Sequence, residues 1–582
     1  MLLLPTVAPA QIEAIVKGDC TPVFDGDGVA EARVGQHPRR LRTIRADWDS
    51  TRVYRQAVVL ITFADTDFQS ENPNELYNNM FNTQGFNLKS GPGCAADYFR
   101  DQSRGKFNVQ FDVYGPVRVS SLAQPYDNPT EDTRNYGREV LVEATRKLID
   151  SLGVDFKPYD WNNTGRVNQV IYVCAGLTGN QNSKKCYGHI WPNTSSFTTI
   201  NANGVRISDY TVSTELWSNG TSCGIGTILH EYTHSLGLPD IYPTSSSAGY
   251  SVMDEWELMD GGNFTNYGWC PPNYTPMEKI LLGWLQPVEL TQPLSVRNLK
   301  PSAEGGEVYR IKHSDSEWLL LENRQQKGWD FAAPGKGLVI YHVFYDNSVW
   351  SGNIVNNTPN KRRYNIIHAD NMDYDKWYDY VLSWEMPKQY ANSDHMNSYL
   401  LSTSPYPWVT GSTQLVNDLL TDESVPASIM NYPNMRGSYL LSKSVTNIVQ
   451  HADGTISFDF MADAPKCATP TVTYEDGRIH FACETEGARF VSKVTSSGET
   501  ESDDNEDVSP VTQYTISVYA AVEGYVNSDT VTATLRCIDG KMTGENISII
   551  EKPETKQGDV NEDGTVDVAD ISAVITIMAN GE

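Results

Sequence analysis

The sequence predicts a multidomain α+β protein. Three observations predict it. The chain has 582 residues, 39% of them hydrophobic, which is too long for one core and apolar enough for several. Apolar strand-like runs alternate with helix-period runs up to about residue 290. Beyond that, short β-like runs sit between Gly, Pro, Asn and Asp clusters.

Taken in order, residues 1–10, "MLLLPTVAPA", read as the back half of a secretory signal. A short apolar stretch leads to small residues at Val7-Ala8-Pro9-Ala10, and the basic start is missing. Residues 11–50 are an N-terminal or pro-segment. Cys20 lacks the context of a lipid-anchor site.

Residues 51–290 form a mixed α/β domain. "AVVLITFAD" (57–65) and "VNQVIYVCAG" (167–176) read as buried strands. "REVLVEATRKLIDSLG" (138–153) carries Leu141, Ala144, Leu148 and Leu152 at helical spacing and stops at Gly153.

Residues 291–462 are β-rich, with "VYRIKH", "WLLLENR", "GLVIYHVF" and "TISFDFMA" as strands. No flexible linker precedes them, so they pack on the first domain. After the break "ADAPKCATPTV", residues 465–540 alternate as a small β-sandwich. The acidic run "ETESDDNED" (499–507) reads as a solvated loop within it. "IEKPETKQG" is a second linker before the segment 558–582.

The formal net charge of −28 argues against nucleic acid as a partner. No run of eighteen apolar residues marks a transmembrane helix. Nine cysteines are too sparse for a disulfide framework. One pair among Cys467, Cys483 and Cys537 can be drawn, as can Cys174–Cys186 and Cys223–Cys270. Buried free thiols are the alternative.

The chemistry concentrates in "LHEYTHSLGLPDIY" (229–242). His230 and His234, four apart on a helix, share one face. Ile225, Ile228, Leu229 and Leu236 give that helix an apolar side. Glu231 can approach a metal-held water without being a ligand. Gly237 can take a positive φ and end the helix, Pro239 keeps it ended, and the turned chain brings Asp240 back as a third ligand. A methionine-bearing turn belongs beneath such histidines. Met253 and Met259 are the candidates, and the "DGG" after Met259 favours it.

These residues, with "AADYFRDQSRGKFNVQFDVYGPV" (95–117), "GHIWP", "DEWELMDGGNF", "TPMEKILLGWL", "LLLENRQQKGWD" and "GKGLVIYHV", make residues 50–460 resemble the secreted bacterial zinc metallopeptidases of the immune inhibitor A type. The resemblance implies a zincin-type fold and endopeptidase activity. It implies His230, His234 and Asp240 as zinc ligands, Glu231 as general base and Met259 as the turn methionine. His189 and Tyr267 are polar candidates for steadying an oxyanion.

Residues 465–540 resemble fibronectin-like β modules. The last segment resembles a single dockerin repeat. Asp559, Asn561, Asp563, Asp567 and Asp570 fall at calcium-loop positions 1, 3, 5, 9 and 12. Gly564 sits at the sharp turn, and Thr565 offers its carbonyl. Ile571, Val574, Ile575 and Met578 follow on one helical face. Dockerins carry two such repeats and this segment carries one, so a calcium-stabilised tail is the plainer expectation than a cohesin-like partner. The expected function is a secreted zinc endopeptidase acting on protein substrates. The alternative is a surface adhesion or scaffold protein with a vestigial zinc site.

Overall fold

The computed structural model describes residues 44, 46–127, 133–181, 183–245, 251–377, 401–410, 414–434, 437–475, 477–502, 508–538, 541–550, 558, 560, 561, 566–572 and 574. The chain divides into two compact units, Met1–Phe460 and Met461–Glu582.

The first unit opens with β1 (Val53–Thr62), α1 (Pro73–Asn82), α2 (Ala95–Gln102), β2 (Asn108–Arg118) and α3 (Arg134–Asp150). There follow β3 (Val170–Leu177), β4 (Asn193–Ala202), β5 (Val205–Leu216), α4 (Gly226–Ser235) and α5 (Pro276–Leu281). The sheet order is β2-β1-β3-β5-β4. Four strands are parallel, and the edge strand β4 runs antiparallel to β5.

Alternation along β1 builds two cores, because successive side chains face opposite sides of a sheet. Tyr54, Val58 and Leu60 pack on one face with Ile228, Leu229 and Tyr232 of α4. Ala57, Val59 and Ile61 pack on the other with Val140, Leu141, Ala144 and Leu148 of α3. Leu152 was expected on that helical face. The helix ends at Asp150, and Leu152 is 60% exposed, because the turn toward Gly153 (φ 63) breaks the period.

The region after residue 290 holds β6 (Val288–Glu289), β7 (Leu294–Leu299), β8 (Val308–Lys312), β9 (Glu317–Arg324), β10 (Gly337–Phe344), α6 (Asn347–Ser351) and β11 (Tyr364–Ile366). β12 (Trp408–Val409), β13 (Leu415–Asn417), β14 (Val445–Gln450) and β15 (Ile456–Phe460) complete it. Its main sheet is β11-β10-β9-β8-β6. Leu320, Val339 and Tyr341 of this sheet share one core with Ile228 of α4 and with Met259. The two regions are thus one hydrophobic body.

The second unit has a sheet of β16 (Thr471–Glu475), β17 (Arg478–Ala482) and β22 (Ser548–Ile550). Its other sheet contains β18 (Arg489–Ser502), β19 (Val508–Ala521), β20 (Val531–Ile538) and β21 (Lys541–Glu545). Val472 from the first sheet and Ile516, Val518 and Leu535 from the second make one small core. Two expectations are corrected here. The β module runs to Ile550 rather than 540, because β22 returns to pair parallel with β16. Residues 499–502 of the acidic run are strand, paired with 508–511. Ladder hydrogen bonds are made by the backbone and tolerate polar side chains. Residues 503–507 lie outside the described residues.

The eight cysteines among the described residues are all free thiols, so none of the drawn pairs is bonded. No helix among the described residues is long and apolar enough to cross a membrane.

Candidate metal centre

The helix α4 is ten residues long and is held on both sides. Ile225, Ile228, Leu229 and Leu236 are buried, as expected of its apolar side. At its start Gly226 touches the backbone of Asn263. A Cβ there would lie 2.1 Å from the Asn263 carbonyl oxygen, so only glycine lets the helix in. At its end Gly237 has φ 102, a conformation that side-chain-bearing residues avoid.

That turn brings Asp240 back beneath the helix. Asp240 Oδ1 lies 3.2 Å from His230 Nε2 and 3.2 Å from His234 Nε2. All three groups are buried or nearly so, and their ligand atoms lie within 4.8 Å of one another. The imidazoles stand edge to face, 5.0 Å between centroids.

The other ring nitrogens decide the chemistry. His230 Nδ1 is 2.8 Å from the Leu258 carbonyl, and His234 Nδ1 is 2.9 Å from the Leu238 carbonyl. Carbonyls only accept, so each Nδ1 must carry the proton. In the neutral rings both Nε2 atoms are then bare lone pairs, aimed at a carboxylate. Asp240 Oδ1 is buried and accepts no hydrogen bond. Three acceptors converge with no donor between them, and a cation is the partner they lack. Without one, burial opposes protonation of His234, but Asp240 outweighs it and raises the imidazole to about 9. Burial likewise opposes the Asp240 carboxylate, but the imidazoles hold it well below the usual carboxylate range.

Glu231 is half-buried beside His230. Burial pushes its carboxyl above the ordinary value. Its backbone carbonyl accepts from the Thr194 hydroxyl on the edge strand β4 and from Thr211 at 3.3 Å on β5, which sets the height of the helix under the sheet edge.

Met253 and Met259 are both fully buried. The segment at Met259 lies against the site. Leu258 supplies the carbonyl that orients His230, and Met259 accepts from the N–H of Ile241, the residue after Asp240, at 2.8 Å. His189 is buried, and burial lowers its pKa, opposed by the charge of Asp65. Tyr267 sits at φ 57 with the Lys89 ammonium 5.9 Å over its ring.

Sequence reasoning missed two residues. Tyr242 stacks on His230 at 6.3 Å and 10°; its nearness to Asp240 in the chain was the available signal. Asn353 grips Asp240. Its Oδ1 accepts the Asp240 N–H and its Nδ2 donates to Asp240 Oδ2, each at 2.7 Å. It has no local sequence signature.

Of the C-terminal loop, Asp559, Asp563, Gly564 and Thr565 lie outside the described residues. Asp570 is buried, and its carboxylate accepts from the N–H groups of Val560, Asn561 and Asp567, tying the two ends of the loop together. Ile571 and Val574, expected on an apolar face, are exposed. Ile575 and Met578 lie outside the described residues.

Residues 182–279 match the family model described as immune inhibitor A peptidase M6, catalytic domain. The chain is 24% identical over 311 residues to immune inhibitor A of Bacillus thuringiensis subsp. alesti, covering 44% of each chain. It is 21% identical over 248 residues to pre-pro-metalloprotease PrtV of Vibrio cholerae serotype O1, covering 37% of this chain and 26% of that one. The chain thus spans less than half the length of the curated relatives it matches. The family match encloses His230, Glu231, His234, Asp240 and Met259, and together with the converging acceptors it supports a metallopeptidase of the immune inhibitor A type.

Proposed function

We propose that the chain is a secreted zinc endopeptidase that cuts peptide bonds in protein substrates. The observation that carries this is the convergence of His230 Nε2, His234 Nε2 and the unpartnered Asp240 Oδ1. Two nitrogens and one carboxylate oxygen form a three-ligand set that suits catalytic zinc. Zinc held there supplies Lewis acidity toward the scissile carbonyl and the attacking water.

The chain's own residues do the rest. The Leu258 and Leu238 carbonyls fix the tautomers that aim both Nε2 atoms inward. Asn353 occupies Asp240 Oδ2 and leaves Oδ1 for the metal. Glu231 takes a proton from the attacking water and delivers it to the leaving amine nitrogen. Its raised pKa suits both halves of that exchange. Met259 and its neighbours form the floor under His230 and Ile241.

The C-terminal repeat is proposed as a calcium loop through Asp559, Asn561, Asp563, Thr565, Asp567 and Asp570. The β module is proposed as fibronectin-like.

The test is digestion of an unfolded protein by the purified chain, with cut sites read by mass spectrometry. Cleavage that stops on chelation and returns with zinc is expected. Stoichiometric zinc without cleavage of any protein substrate sinks the endopeptidase reading.

A further inference from the structure

Thr194 on β4 and Thr211 on β5 are direct cross-strand partners, and their hydroxyl oxygens lie 2.9 Å apart. Both hydroxyls reach the backbone carbonyl of Glu231, Thr211 at 3.3 Å. The Thr194 hydroxyl also hydrogen-bonds the Glu231 side-chain carboxyl. The setting is firm. Thr211 is fully buried, and its hydroxyl meets Gln169 Oε1 at 3.3 Å. Next to Thr194, Asn193 Oδ1 accepts from the Tyr210 hydroxyl at 2.9 Å, a second cross-strand tie between β4 and β5.

The protons can be counted. A carbonyl and a carboxylate only accept, and each threonine has one proton to give. Thr194 therefore serves either the carbonyl or the carboxylate of Glu231 at a given moment. Thr211 resolves the competition. It can donate to the carbonyl itself or to the Thr194 oxygen, and either choice leaves the Thr194 proton for the carboxylate. A glutamate side chain has much rotamer freedom to lose. A base that must face one attacking water gains from a tether on the carboxylate itself.

We propose that Thr194 is a positioning residue for the general base: its hydroxyl ties the Glu231 carboxylate to the sheet edge and holds it toward the attacking water. The inference rests on the endopeptidase reading above. Hydrogen bonds to an ionised acceptor are the strong ones, so the tether is tightest while Glu231 is a carboxylate. Once Glu231 has taken the water's proton the charge is gone and the tether slackens. The carboxyl can then turn to the leaving amine nitrogen. The Thr194 proton itself is never transferred. If the hydroxyl served the backbone carbonyl alone, it would set the height of α4 and nothing more.

The test is steady-state cleavage by the full chain of a peptide spanning one cut site mapped in the unfolded-protein digest. Thr194→Val keeps the branched shape and loses the hydroxyl, whereas Thr194→Ser keeps the hydroxyl. At unchanged zinc content, Thr194→Val should lower kcat roughly ten- to a hundredfold, the worth of a hydrogen bond to a charged group, and leave KM within about twofold. Thr194→Ser should recover most of that loss. Adding Thr194→Val to Glu231→Gln should cost little more, because the hydroxyl acts through the carboxylate. If Thr194→Val does not fold, Thr194→Ala beside Thr194→Ser makes the same comparison. An unchanged kcat, a raised KM in its place, no recovery with serine, or full additivity with Glu231→Gln overturns the inference and leaves the endopeptidase reading standing. A native chain that cuts nothing ends both.

Discussion

Asn353 holds Asp240 at both ends, accepting its backbone N–H and donating to its carboxylate, across 113 residues of chain. The bonds fix which oxygen of Asp240 faces the histidines. Asn353→Ala removes both. Outer partners of metal ligands are worth roughly ten- to a hundredfold in affinity, so zinc should bind more weakly by about that factor. Competition against a fluorescent zinc chelator measures it. Unchanged affinity would show that the pair does not orient the ligand.

Glu231→Gln should keep the fold and the zinc. Activity should fall roughly a hundred- to ten-thousandfold, the usual worth of a general base. Zinc content by atomic absorption, run beside peptide cleavage, separates this from loss of the metal. A variant cutting near the native rate ends the assignment.

Asp240→Ala should weaken zinc binding more than Asn353→Ala does, since it deletes one ligand rather than its support. Unaltered stoichiometry and affinity would move the third ligand elsewhere.

Glu257 and Glu278 are buried together under the site. Glu257 accepts the Met259 N–H at 3.1 Å, and Glu278 caps the N-terminus of α5 through Thr275. Burial raises Glu278 well above its ordinary 4.5, and the neighbouring Glu257 adds to the shift. Burial raises Glu257 as well. A carboxyl raised in the fold binds its proton more tightly there than in the unfolded chain. Its stabilisation is complete below 4.5 and is lost as pH rises through the raised value. Glu278→Gln keeps an acceptor for Thr275 and cannot ionise. Its melting temperature should fall less between pH 5 and pH 9 than the native protein's. Parallel curves would show that the pair does not titrate.

Calcium should protect the C-terminal tail from limited proteolysis, because clustered carboxylates repel one another until a cation binds. Removing residues 551–582 should leave peptide cleavage intact. Equal clipping with and without calcium removes the calcium loop, and an inactive truncation makes the tail part of the catalytic unit.

The local parts of the site were legible in the sequence. His230 and His234 four apart, Gly237 at a forced positive φ, and Asp240 three residues on all rest on helix geometry within a dozen residues. The buried strands β1 and β3 were legible as unbroken apolar runs. The edge strand β4, "NTSSFTTINA", was not, because its mix of Ser, Thr and Asn reads as a loop until β5 pairs with it. Asn353 was invisible because its role depends on a contact 113 residues distant. The end of α3 was misread because an apolar Leu152 continued a period that the backbone had already abandoned.

The grip on residues 240–245 is wider than one asparagine. Asn356 donates to the Ile241 carbonyl, and Asn357 accepts from the Thr244 N–H. The family match stops at residue 279, and every group proposed to hold an ion lies before that point. A gene shortened there would encode all the proposed ligands but none of the three asparagines that grip the third one and the residues after it. The stretch that looks portable is therefore not. Insertion, recombination or truncation between residues 279 and 357 would sever the asparagine grip on Asp240 without touching a single proposed ligand.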